Sequence, residues 1–365
     1  MQTGAGSPIR PPEVEQRPMA VLTLTMNPAI DICTRVDRVL PVDKMRCETP
    51  RFDPGGGGIN VARTVLALGE SATAMFPVGG YPGKRLEQLV HEAGVPMSTV
   101  PVAAPTRESL AVTDRTSGEQ FRFVLPGPEL SGAERESILA AVLEAAGSAR
   151  VLVASGSLPP GVPMDFYQVL ADRMAIAGVP LVLDTSGEAL RQVRRGVHLL
   201  KPSVRELGDR VGCSLTSRSE QVAAARELIL DGIARLVVVS LGADGALAVT
   251  ADSDEYFPAI PTPVCSGIGA GDALAGGLTV GIIHGLRFAE AVRLGIASAT
   301  AALAAPGSSP GHPELIARLY ERISGDRTTD IALAQSARET RVTDGSVSTG
   351  AAGAAGCGRW TWSSR

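Results

Sequence analysis

From about residue 150 onward, short unbroken apolar runs alternate with longer segments of helical spacing, and few architectures accommodate that alternation. VLVAS is followed by a helical pattern from Met164, VPLVLD by another from Gly187, and LVVVSL by further strands. Such βαβ units build a mainly parallel sheet whose central strands are buried on both faces, hence their lack of polar alternation. After Gly269 and Phe288, apolar residues recur three and four apart, as packed helices require. The first 125 residues read differently: VLTLTM, the alternating segment near Asp31 to Val39, KMRCET and EQFRFV look like extended ribbons of an accessory sheet, while SATAMFPVGG reads as another core strand. The expected fold is a doubly wound α/β domain over 19–325. It carries a small β-sheet lid whose segments, about 30–52 and 105–126, are discontinuous in sequence.

Composition narrows the function classes. With 365 residues, 44% of them hydrophobic, the chain can bury a sizeable core, and a net charge of −4 argues against general nucleic-acid binding. The five cysteines lack CxxC spacing, so neither a zinc site nor a disulfide framework is indicated and a reducing cytoplasm is the simplest setting. No secretory signal or bilayer-spanning run is evident. Residues 1–18 read as a flexible leader and 326–365 as a disordered tail.

Two glycine-rich segments can carry chemistry. In SGIGAGDALAGGL (266–278) the backbone turns directly into a helix, so that Gly269, Ala270 and Gly271 offer unpaired amides to an anion. Asp272 would enter the first helical turn, where the helix dipole would keep a carboxylate ionised and ready to take a proton. An ordinary helix start with small-residue packing fits the same letters. In DPGGGGINVA (53–62), glycines that include Gly56 let the backbone lie against a sugar, and Asn60 could bond hydroxyls through donor and acceptor atoms. A structural turn is the alternative. The segment fails the dinucleotide fingerprint, and no GxxxxGK[ST] occurs.

Basic residues in the lid suit a bound anion. Lys44 and Arg46, spaced by two, would share one face of a strand, and Arg107 and Arg122 could converge on the same phosphate, with Asp31 complementing sugar hydroxyls. Each charge taken singly also fits a solvated surface. Two further segments, KPSVREL and SLGADGAL, suit a nucleotide at strand ends, with Lys201 meeting phosphate, Glu206 holding Mg²⁺ through water, and Ser240 and Gly242 lining the pocket. Caps and turns are the plainer reading of each.

Taken together, these motifs resemble the PfkB branch of the ribokinase-like carbohydrate kinases over roughly residues 20–325. SGSLPPGV and KPSVREL strengthen the match, and GGGGINVA is most similar to minor-type bacterial 6-phosphofructokinases, since 1-phosphofructokinases usually carry a lysine in that glycine run. The resemblance implies a three-layer α/β/α sheet and transfer of the γ-phosphoryl group of ATP to O1 of fructose 6-phosphate. Asp272 would be the base beside the anion hole of Gly269 to Gly271. Asp31, Gly56, Asn60 and Ser157 would contact the sugar, and Lys44, Arg46, Arg107 and Arg122 its phosphate. Lys201, Ser203, Ser240, Gly242 and Gly245 would line ATP. Mg²⁺ would be served by Glu206, and K⁺ by Ser266, Ile268, Ala302, Ala305 and Gly307. It further implies a homodimer clasped through the lid, with an arginine supplied by the partner. One departure stands out: the family's NxxE reads SxxE, Ser203 to Glu206, which implies altered Mg²⁺ handling rather than lost activity. Tagatose 6-phosphate or fructose 1-phosphate is the rival substrate, and a silent sugar-phosphate-binding regulator the rival of another class.

Overall fold

The computed structural model describes residues 19–41 and 44–325; the expected leader and tail lie outside the described residues. Nine strands form the main sheet: β1 (Val21–Leu24), β4 (Ala72–Val78), β5 (Met97–Pro101), β8 (Val151–Ser155), β9 (Leu181–Asp184), β10 (Val197–Leu200), β11 (Ala234–Ser240), β12 (Ala246–Val249) and β13 (Asp254–Phe257). Their spatial order is β13-β12-β11-β10-β9-β8-β1-β4-β5, parallel except for the two edge pairings β11–β12 and β12–β13. Buried residues alternate between two apolar cores along each strand. Val21, Val153, Val182 and Val238 enter one core and Leu22, Leu152, Leu183 and Val237 the other. Helices therefore cover both faces, giving three layers.

A second sheet of four strands, ordered β3-β2-β6-β7, comprises β2 (Ala29–Val36), β3 (Arg51–Gly55), β6 (Arg107–Asp114) and β7 (Gln120–Val124). Two readings of the sequence are corrected here. VLTLTM is no lid ribbon: β1 lies in the middle of the main sheet between β4 and β8. Its threonines imitate the alternation of a half-exposed ribbon, yet Thr23 and Thr25 are buried, and Thr25 Oγ1 accepts the amide of Ile59. KMRCET is no strand either, because residues 44–50 have no ladder pairing. Pro41 and Pro50 bracket the segment, and proline cannot donate to a ladder. Only isolated bonds hold it to β2, such as Glu48 N to the Arg35 carbonyl at 2.9 Å.

Chain order reverses at β1, which has β4 on one side and β8 on the other. The crevice beyond the carboxyl ends of such strands is where open α/β sheets bind ligands. Two helices brace this region from behind, Ala270–Ile283 and Phe288–Leu303. They cross at bare backbone: a Cβ on Gly277 would fall 2.7 Å from Gly295 Cα and from the Leu294 carbonyl oxygen. Gly277→Val is expected to destabilise the protein by about 2–3 kcal/mol through overpacking. Urea unfolding followed by circular dichroism measures this, and an unchanged midpoint would refute the close crossing.

Candidate active site

The glycine run places the first half of the site. Gly56 adopts φ +126°, a backbone region that side chains disfavour, and then the helix Gly57–Ala67 begins. A Cβ on Gly57 would fall 2.1 Å from Ser155 Oγ, and one on Gly58 2.6 Å from Thr25 Oγ1. A Cβ on Gly55 would meet the Asp31 carboxylate at 2.5 Å. The helix thus starts in direct contact with the ends of β1 and β8, and one turn later it presents the buried Asn60 to the crevice.

Asp272 comes from the opposite wall. Gly269, at φ +80°, caps the helix Ala270–Ile283, and Asp272 is its third residue. The Asp272 carboxylate accepts Asn60 Nδ2 on Oδ2 at 3.0 Å and Ser155 Oγ on Oδ1 at 3.2 Å. The buried Lys201 pairs with Asp184 at 3.0 Å, and its Nζ lies 3.6 Å from where a Gly271 side chain would start. Ammonium and the amides of the first helical turn therefore share one small volume.

Burial pushes the Asp272 pKa up to about 7; Asp184 adds to the rise, while the Asn60 bond, Lys201 and the Ser155 bond oppose it. This corrects the expectation that the helix start keeps Asp272 firmly ionised. A helix terminus stabilises a nearby charge by about 0.3–1 kcal/mol in an exposed setting, too little to offset burial beside a second carboxylate. Burial also raises the pKa of Asp184. It works against the Lys201 ammonium too, but Asp184, then Asp272 and Glu206, outweigh it and raise the lysine pKa.

A second charged group gathers around Asp31, whose pKa burial raises to about 6 against the pull of Arg122, Arg107 and Arg63. Arg107 is anchored, its Nη2 donating to the Asn27 carbonyl at 3.0 Å and its Nη1 to the Leu125 carbonyl at 3.1 Å. Ser157 Oγ accepts Asn27 Nδ2 at 3.1 Å. Lys44 and Arg46 share no strand face, and both are exposed.

Ser203 and Glu206 form a reciprocal capping box for the helix Val204–Val211. Ser203 Oγ accepts Glu206 N at 3.3 Å, and Glu206 Oε2 accepts Ser203 N at 2.8 Å. Ser240 N donates to the Pro202 carbonyl at 2.9 Å, joining the KPS and SLG loops. Gly242 opens a 3₁₀ turn at φ +62°, and Gly245 leaves room for the Phe257 carbonyl, 2.0 Å from where its Cβ would be. Ser266 Oγ accepts Ile268 N at 3.2 Å, and the amides of Cys265 and Ser266 bond the Leu303 carbonyl. Ser266 and Ile268 thereby lie beside the end of the helix Phe288–Leu303, which carries Ala302, and the loop after it with Ala305 and Gly307. Gly307, at φ +63°, approaches the buried Asp53, which Arg51 clamps at 2.8 Å.

Sequence reasoning missed Ser155, Asp184, Arg63, Asn27 and the Arg51–Asp53 pair. For two of them a signal existed, since Ser155 and Asp184 are the last residues of VLVAS and VPLVLD, at the carboxyl ends of strands beside the reversal. Arg63 and Asn27 carried none, because their roles depend on loops distant in sequence.

The model of the pfkB family carbohydrate kinases matches residues 24–315. The chain belongs to this family. An ATP-dependent 6-phosphofructokinase isozyme 2 of Mycobacterium tuberculosis (strain ATCC 25618 / H37Rv) is 51% identical over 301 residues, 82% of this chain and 89% of that protein. Among solved structures, phosphofructokinase-2 from Escherichia coli in complex with potassium superposes with a TM-score of 0.80 at 38% identity, covering 84% of this chain and 99% of that one. The same E. coli enzyme in complex with fructose-6-phosphate gives a TM-score of 0.79 at 38% identity, with the same coverage of both chains.

With Asp272 as the base, kcat/KM is expected to fall about tenfold per pH unit below about 7, because the protonated acid cannot accept a proton. Asp272→Asn should fold normally and lose roughly 10²- to 10⁴-fold in kcat. Steady-state rates across pH 5 to 9 check both; an acid limb near 4, or an active Asn variant, would remove Asp272 from that role.

Proposed function

We propose that this protein is an ATP-dependent 6-phosphofructokinase that converts fructose 6-phosphate to fructose 1,6-bisphosphate in the cytoplasm. The observation that carries the reading is the Asp272 carboxylate, tuned to about 7 and set beside the helix-start amides and Lys201. The identity to a 6-phosphofructokinase, at 51%, selects the substrate.

In the reaction Asp272 takes the proton of the O1 hydroxyl as O1 attacks the γ-phosphorus. The O1–P bond forms, the bond from phosphorus to the β,γ-bridging oxygen breaks, and ADP departs with those electrons. The amides of Gly269, Ala270 and Gly271, with Lys201, stabilise the charge on the phosphoryl oxygens. Asn60 and Asp31 orient sugar hydroxyls against the Gly56 backbone, with Ser157 beside them. Arg107 and Arg122, aided by Lys44 and Arg46, hold the 6-phosphate. Ser240, Gly242 and Gly245 line the nucleotide, with Ser203 at the edge of that pocket.

No group of three or more His, Cys, Asp or Glu suited to a metal occurs among the described residues. That fits Mg²⁺ carried mainly on ATP phosphates and water, with Glu206 contacting it through water, since magnesium is rarely held by an all-protein cage. Bound there, Mg²⁺ would neutralise phosphate charge. Ser203, occupied as a cap, offers the metal's water shell less than an asparagine would. The Ser266–Ile268 and Ala302–Gly307 segments supply carbonyl and hydroxyl oxygens, the hard donors K⁺ prefers.

We read the lid as a dimer surface. The pairings Phe52–Ile32, Ile32–Leu110 and Leu110–Phe123 set four apolar residues in one row across the sheet, and three stay open, Phe52 at 42%, Leu110 at 37% and Phe123 at 53% exposure. Phe123→Asp is expected to shift light-scattering mass from dimer toward monomer; a monomeric wild type would end this reading.

A coupled ADP-release screen with fructose 6-phosphate, fructose 1-phosphate, tagatose 6-phosphate, ribose and adenosine tests the substrate. Fructose 6-phosphate should give the highest kcat/KM. Neutral substitutions of Arg107 or Arg122 should raise its KM roughly tenfold or more while KM for ATP stays put, each charge-assisted phosphate contact being worth about 1.5–3 kcal/mol. Equal turnover of unphosphorylated sugars would contradict the phosphate clamp.

A further inference from the structure

Arg63 follows Asn60 by three residues on the helix Gly57–Ala67, so the two side chains are neighbours on one helix face. Its Nη1 donates to the Ser308 carbonyl at 2.8 Å and to the Ser308 hydroxyl at 2.9 Å, and reaches Asn60 Oδ1 at 3.4 Å. Burial disfavours its charge, Asp53 and Asp31 support it from a distance, and Arg51 opposes it. A desolvated guanidinium held mainly by neutral oxygens is costly to keep, so its position needs a reason.

The reason lies in the Asn60 amide. Its carbonyl and NH₂ ends are nearly the same shape, and only hydrogen-bond partners decide which way it points. Asp272 Oδ2, an acceptor, stands 3.0 Å from one end, and Arg63 Nη1, a donor, stands at the other. We infer that Arg63 is a positioning residue: it fixes the Asn60 amide so that the NH₂ group, and not the carbonyl oxygen, faces Asp272. This rests on the reading of Asp272 as the base of a sugar-phosphate kinase.

An NH₂ donor at Oδ2 favours the ionised carboxylate, whereas a flipped carbonyl would face its lone pairs and favour the protonated acid. The other groups facing Asp272 are Ser155 and Asp184 at strand ends and Lys201 after β10; Glu206 bears on Asp184 and Lys201. None of them contacts the Asn60 amide. Arg63 is in turn anchored on Ser308, so the order of the loop after Gly307 reaches the base through one guanidinium and one amide.

The test is a ¹³C-carboxylate titration of Asp272 in the ligand-free protein, assigned with Asp272→Asn, for wild type, Arg63→Met, Asn60→Ala and the double variant. Arg63→Met should raise the Asp272 midpoint by about one pH unit, the value of one charge-assisted hydrogen bond. In the Asn60→Ala background the same change should do nothing. No shift in the single variant overturns the inference, and so does an equal shift in both backgrounds, which would mean a direct charge effect. Should Arg63→Met not fold, Arg63→Leu, which likewise removes both the charge and the donor, gives the same comparison, and the same two outcomes overturn the inference. The acid limb of kcat/KM for fructose 6-phosphate should move with the titration. A wild type that releases no ADP with that sugar would sink the substrate reading and leave the titration result standing.

Discussion

The helix Gly57–Ala67 can begin against the ends of β1 and β8 because residues 55–58 carry no side chains. Ser155 Oγ occupies the space a Gly57 Cβ would take, and Thr25 Oγ1 the space of a Gly58 Cβ. That contact sets the depth of Asn60, and through Asn60 the only amide that bonds Asp272 Oδ2 among the described side chains. Any side chain larger than hydrogen at 57 would push the helix outward and part the two walls of the crevice. One steric condition in a loop thus holds together residues separated by more than two hundred positions.

With the walls in place, electrostatics becomes a problem of shared charge. Asp184 and Asp272 both contact Ser155 or its surroundings, and a single ammonium, Lys201, serves them at close range. Two carboxylates and one ammonium in a desolvated space leave one negative charge without a close partner, so a proton is held more tightly than by either acid in water. The amides of the first helical turn are the groups there that no carboxylate already neutralises, and an arriving anion would meet them beside Lys201.

Much of this was legible in the sequence, and the failures are instructive. Unbroken apolar runs announced the parallel strands because burial on both faces removes alternation, and the same rule should have placed VLTL among them. Its threonines misled because a buried hydroxyl that bonds backbone, as Thr25 does, looks polar in the letters alone. Asp272 and Asn60 were found because glycines flank them, and glycine is visible wherever backbone must approach closely. SxxE was read for chemistry, and the capping box it forms satisfies the same letters with local bonds. Arg63 stayed hidden because its partner Ser308 lies 245 residues away, a distance no local pattern reports.

For the proposed role of Asp272 as the base, a raised pKa suits the chemistry better than a fully stabilised carboxylate would. A carboxylate held near 4 is always ionised at neutral pH but attracts a proton weakly, so it would help little as O1 gives up its hydrogen. One held near 7 is half ionised at neutral pH, yet binds the proton about a thousandfold more tightly, each pH unit being tenfold. The loss of half the active population is small beside that gain in driving force. Burial and Asp184 supply the gain, while Asn60, Lys201 and Ser155 keep it from going so far that the acid stays protonated. On the proposed reading the site would work where those opposed effects balance, and the orientation of a single neutral amide would then matter to the rate.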